Sequence, residues 1–176
     1  MERKKALVLG CYGQDGSLIC KSLLEKGYKV IGLAKRKVDN NQRHVELNIQ
    51  KDLEIGVADL RDLPTLKNFF ESKSPDEVYN FAAQSSVGLS FQKPIQTIES
   101  IVNATLNILE IARQTSFGGK LFFAGSSEIF GDTQRRATIS HTQNPKSPYA
   151  IAKQTSFNMV KLYRSIYNIK CVTGIL

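Results

Sequence analysis

The sequence predicts a parallel, doubly wound α/β sheet. Three observations carry that prediction: six short, apolar, β-rich runs, longer helical patterns between them, and a glycine turn, GCYGQDG, directly after the first run. Strands separated by helices need crossover connections, so they lie parallel with helices on both faces, an arrangement of Rossmann type. Ligands bind such sheets beyond the C-terminal ends of the strands.

Apolar clusters place the first strand at 5–9, and a helix at 15–25 follows it and stops at Gly27, a C-terminal glycine. The second and third strands are expected at 29–34 and 54–58. A helix opens after Asp62 and ends before Ser74-Pro75, leading into a fourth strand at 77–81. A long helix over 95–114 carries a stripe of Ile98, Ile101, Val102, Leu106, Leu109 and Ala112. The fifth strand is expected at 120–124, the last helix starts near Pro148, and the sixth strand runs over 171–176.

With 176 residues, 41% hydrophobic and 23% charged, the chain suits one globular domain, residues 1–176. No run approaches the ~20 apolar residues of a membrane span, and MERKK leads straight into a strand, so a cytoplasmic location is expected. Cys11, Cys20 and Cys171 are odd in number without paired spacing, and His44 and His141 stand far apart, so neither a disulfide framework nor a metal site is expected. The formal charge of +8 is dispersed, with small groups at 3–5, 35–37 and 135–136. Without a basic stripe and interleaved aromatics, nucleic acid is not the expected partner, and such charge suits phosphorylated small molecules.

Gly10, Gly13 and Gly16 read GxxGxxG between a strand and a helix. Glycines there permit a tight turn and a close approach of backbone amides to a pyrophosphate at the helix N-terminus. Lys35 and Arg36 end the second strand, where an acid would bind a ribose diol, and cations favour a 2′-phosphate, hence NADP. Taken alone the two read equally well as a solvated charged loop. Asp59 and Leu60 are placed to hold an adenine edge, although an aspartate there also suits a helix cap.

In SPYAIAK, Tyr149 and Lys153 share one helix face, a turn apart. A tyrosine titrates near ~10, and Lys153 with a positive nicotinamide ring lowers that value and makes the phenol a usable base. Lys153 also suits a nicotinamide ribose. Ser126, in AGSSEIFG, offers a hydroxyl that orients the substrate oxygen. Glu128 supplies a carboxylate for removing a proton beside a new ketone, where it would otherwise be a solvated strand-end acid.

GxxGxxG, NFAA, SSE and YAIAK in this order resemble the extended short-chain dehydrogenase/reductase family. Within it the chain is similar to GDP-mannose 4,6-dehydratases from Lys5 to Leu176, through GCYGQDG, LLEKGYKVIGL, SPDEVYNFAAQSSVGLSFQKP, SSEIFG, SPYAIAK and TGIL. The resemblance implies a redox-neutral lyase reaction on GDP-mannose: hydride passes from sugar C4 to NADP and returns to C6, Glu128 removes the C5 proton, and C6 loses water. It assigns catalysis to Ser126, Glu128, Tyr149 and Lys153. Cofactor contacts fall to Gly10, Cys11, Tyr12, Gly13, Gln14, Asp15, Gly16, Lys35, Arg36, Asp59, Leu60, Phe81, Ala82, Ala83, Gln84 and Ser85, with Tyr149 and Lys153.

The family has a histidine where Ser86 stands, a tyrosine where Gln96 stands, and a longer, serine-rich loop after Arg36 that contributes to a tetramer. It also continues into a smaller domain that binds the GDP-sugar, whereas this sequence ends inside the sixth predicted strand. A homo-oligomer, dimer or tetramer, is expected of the full-length form. The competing readings are an epimerase, decarboxylase or dehydratase for another nucleotide sugar, and a non-catalytic NADP-binding module.

Overall fold

A computed structural model describes residues 3–176. Six strands form one parallel sheet: β1 (Lys5–Leu9), β2 (Lys29–Ala34), β3 (Glu54–Val57), β4 (Glu77–Asn80), β5 (Lys120–Ala124) and β6 (Cys171–Gly174), in the spatial order β3-β2-β1-β4-β5-β6. The order reverses between β1 and β4, whose register pairs Ala6 with Glu77 and Leu9 with Asn80. Connections on either side of that seam diverge to opposite faces and leave a crevice at the strand ends.

Alternation along β1 sorts the core. Ala6 and Val8 face one side with Cys20, Leu23 and Val30, beneath α1 (Gln14–Glu25) and α2 (Gln42–Glu46). Leu7 and Leu9 face the other with Ile108, Ile111, Val160 and Leu66, beneath α3 (Leu63–Lys73), α6 (Ala104–Gln114) and α7 (Pro148–Tyr167). Both faces of the central strand are therefore dry, as a parallel sheet requires. Burying each such Leu or Ile contributes ~1.5–3 kcal/mol.

Three strands end earlier than the apolar runs suggest. Ala58 and Phe81 leave the ladder because the chain there turns into the loops that line the crevice, and the last two residues leave it as well. The predicted long helix is divided: α5 (Pro94–Ile98) passes through a π-helical turn at Glu99–Asn103 into α6. There the Ile101 carbonyl accepts from Thr105 Oγ1 (2.7 Å) and from Ser156 Oγ on α7 (3.3 Å), hydroxyls that compete with the regular i to i−4 ladder. Three further helical segments have no counterpart in the sequence reading: α2, α4 (Val87–Gln92) and a 3₁₀ turn at Ser127–Phe130. Each spans six residues or fewer, too short for helical periodicity to register.

Side-chain caps set the helix starts. Asp62 accepts from Thr65 N at 3.2 Å and Ser147 from Ala150 N at 3.0 Å, each with a proline in the first turn. Asp62, not Asp59, caps α3. Among the described residues no helix is long and apolar enough to cross a membrane, and the three cysteines are free and buried.

Candidate active site

A groove of about 700 Å³ opens over the β1/β4 seam. Its lining joins Gly10, Tyr12 and Gly13 from the glycine turn, Lys35 after β2, Asp59 and Leu60 after β3, and Phe81, Ala82, Ala83 and Gln84 after β4. Four separate segments of the cofactor prediction thus meet in one crevice. Cys11, Gln14, Asp15, Gly16, Arg36 and Ser85 do not line it. The Cys11 side chain is fully buried in the α1-side core, and Arg36 and Ser85 are exposed beside the groove.

The turn is shaped to leave room for a ligand. Gly10 has φ +79°, and a Cβ there would lie 2.8 Å from the Ala82 backbone. On Gly16 a Cβ would collide with the Gly10 carbonyl. With no side chains in the way, backbone closes the floor of the crevice, a cradle that fits a dinucleotide pyrophosphate at the start of α1.

At the outer end, Asp59 does not act as a cap but sits between two cations. Arg61 clasps it through Nε to Oδ1 (3.0 Å) and Nη2 to Oδ2 (2.7 Å), and Lys35 Nζ approaches Oδ2 at 3.3 Å. Arg61 beside it, more than Lys35, holds the Asp59 carboxyl well below the usual carboxylate range. Arg61 also reaches Glu99 Oε2 at 3.2 Å across the groove. Arg61, Glu99 and Ser100 line the crevice and are absent from the sequence reading. Arg61 was accessible there as a cation just past a strand end, whereas Glu99 and Ser100 were hidden inside an apparently continuous helix.

The four chemical residues come from two elements. Ser126 follows β5 and caps the 3₁₀ turn, its Oγ accepting from Glu128 N at 3.3 Å. Tyr149 and Lys153 stand in the first two turns of α7, packed onto that turn. Tyr149 and Ser126 are buried, while Glu128 is exposed. None of the four lines the groove itself; Tyr149 packs with Ile101, Ala152 and Ala83, and Ala83 is one of the residues that line it.

Burial first, and the Glu128 charge to a lesser degree, push the Tyr149 phenol up from its ordinary value, against a lowering by the Ser126 hydroxyl. This corrects the expected effect of Lys153. Its Nζ sits 5.7 Å from the Tyr149 ring centroid but donates to the Ala124 carbonyl at 2.8 Å, and burial lowers its own pKa to about 8. Lys153 thus holds its proton less firmly than a surface lysine, and the influences that set the phenol are burial, Ser126 and Glu128. Among the described residues no group of three His, Cys, Asp or Glu could hold a metal ion.

A phenol, a hydroxyl and a carboxylate that adjoin one another form a set suited to proton transfer from an alcohol oxygen. The sequence profile of the family described as GDP-mannose 4,6 dehydratase matches residues 7–176. The chain belongs to that family. It is 39% identical to GDP-mannose 4,6 dehydratase 1 of Arabidopsis thaliana over 99% of its own length and 51% of that relative. It is 36% identical to the GDP-mannose 4,6-dehydratase of Vibrio cholerae over 99% of its length and 49% of that protein. Among solved structures, a UDP-glucose 4-epimerase of Thermus thermophilus in complex with NAD superposes with TM-score 0.86 at 31% identity, covering 96% of this chain and 53% of that one. The chain spans about half the length of the dehydratase-family relatives it matches.

Proposed function

We propose that the chain is the nucleotide-binding part of an NADP-dependent GDP-mannose 4,6-dehydratase that forms GDP-4-keto-6-deoxymannose. One observation supports this reading: Ser126, Glu128 and Tyr149 adjoin one another, with Tyr149 packed on the groove-lining Ala83, in a chain of the dehydratase family. When bound, the dinucleotide supplies hydride acceptance and return. The chain's own groups do the rest. Ser126 holds the C4 oxygen of the sugar, and Tyr149 takes its proton. Glu128, exposed toward incoming substrate, removes the C5 proton made acidic by the neighbouring ketone and assists departure of the C6 hydroxyl as water. Lys153, its amine donating to the Ala124 carbonyl, holds the nicotinamide ribose. Lys35 at the ribose end favours a 2′-phosphate over a free diol.

The test has two arms. NADP should bind at least tenfold more tightly than NAD, measured by calorimetric titration, and equal affinity sinks the NADP assignment. GDP-mannose supplied with NADP to the complete enzyme should yield 4-keto product. Tyr149→Phe should lower turnover by at least ~10³-fold with dinucleotide affinity unchanged, and normal turnover in that variant removes the tyrosine's role. Product from another nucleotide sugar, and none from GDP-mannose, would favour the sister activities of the family.

A further inference from the structure

The dinucleotide reading leaves a buried imidazole beside the glycine turn unused. His44 is 2% exposed, on the short helix α2, and its Nε2 lies 2.8 Å from the Cys11 carbonyl inside the glycine turn. A carbonyl only accepts, so Nε2 carries the proton. Ser17 Oγ, on α1, lies 3.0 Å from the same carbonyl and 2.7 Å from the Gly13 carbonyl, so its single proton is shared between two carbonyls of the turn. The imidazole also packs against the Tyr12 ring, with centroids 5.1 Å apart. The Tyr12 hydroxyl in turn accepts from Val38 N at 3.2 Å, in the loop that follows Lys35 and Arg36. One imidazole therefore joins the turn that faces the pyrophosphate to the loop that follows the ribose-end cations.

We propose that His44 is a positioning residue for dinucleotide binding: its Nε2–H fixes the glycine turn, and its ring fixes Tyr12 and, through it, the loop after β2. The proposal rests on the dinucleotide reading. Preorganisation of this kind is felt as affinity, because a loosened turn must be ordered again on binding. When the histidine is lost the Cys11 carbonyl still has the shared Ser17 hydroxyl within reach, so the fold survives while the turn gains freedom.

The experiment compares His44→Gln, which keeps a side-chain N–H at the same reach, with His44→Leu, which keeps the volume and loses the donor. Affinity for NADP is measured by calorimetric titration, and amide exchange at Gly13 and Ser17 is measured in the unliganded chain. The Gly13 and Ser17 amides bond to the Gly10 and Gly13 carbonyls and so report on the turn itself. The Leu variant should bind NADP about tenfold more weakly and exchange those amides several-fold faster, with the Gln variant within threefold of the parent on both. Unchanged exchange and affinity in the Leu variant overturn the proposal, as does a Gln variant that falls as far as Leu. If the parent chain binds neither NADP nor NAD, the dinucleotide reading fails, and the exchange measurement still decides whether His44 holds the turn.

Discussion

At the scale of single residues, the site shows how burial sets chemistry. Lys153 is surrounded closely enough that its charged form is disfavoured, and its pKa falls from 10.5 to about 8. The unfolded chain then binds more protons than the folded one between those two values, so this group makes stability rise as pH climbs from about 8 to 10.5. Lys153→Met removes the penalty of the buried charge. The variant should be more stable than the parent below pH 8, with the gap shrinking toward pH 10.5, as read by denaturant melts across that range. A constant gap would show that the ammonium is not desolvated. At Asp59 the opposite holds: Arg61 and Lys35 favour the anion.

At the scale of elements, the glycine turn is the feature least tolerant of change. A methyl on Gly16 has no room against the Gly10 carbonyl, which is backbone and cannot rotate away. Gly16→Ala should cost about 3 kcal/mol, a Tm fall on the order of 6–12 °C for a chain of this size, with NADP binding lost. A Tm within two degrees of the parent would mean that the turn relaxes freely. That turn was legible from GCYGQDG alone, as were the six strands, because β1, β2 and β5 are uninterrupted apolar runs bounded by charge or glycine. The helix divided at Glu99–Asn103 was not legible. Its stripe of Ile101, Leu109 and Ala112 keeps helical spacing through the wide turn, and the cause, Ser156 Oγ on the Ile101 carbonyl, lies 55 residues away in sequence. Likewise the clasp of Arg61 on Asp59 was hidden, since nothing in spacing separates an acid that caps from one that pairs.

For the whole molecule, the relevant quantity is how much a ligand spanning the groove adds to folding. NADP at a hundred times its Kd should stabilise the chain by about 2.7 kcal/mol, a Tm rise on the order of 5–10 °C, and an equal excess of Kd-matched NAD should do the same. No rise at saturating concentrations of either would mean that the crevice binds no dinucleotide. The strand order carries a further consequence. All of β1, β2 and β3 precede Ser74, and all of β4, β5 and β6 follow it, so the two sheet leaves are also two unbroken stretches of chain. One leaf supplies Gly10, Lys35 and Asp59 to the crevice, and the other supplies Ala82, Gln96 and Glu99. A polypeptide nicked between Ser74 and Pro75 would be kept whole by the Ala6–Leu9 ladder on Glu77–Asn80, the shared core and the Arg61–Glu99 bridge, and a dinucleotide lying across the cut would serve as its stitch.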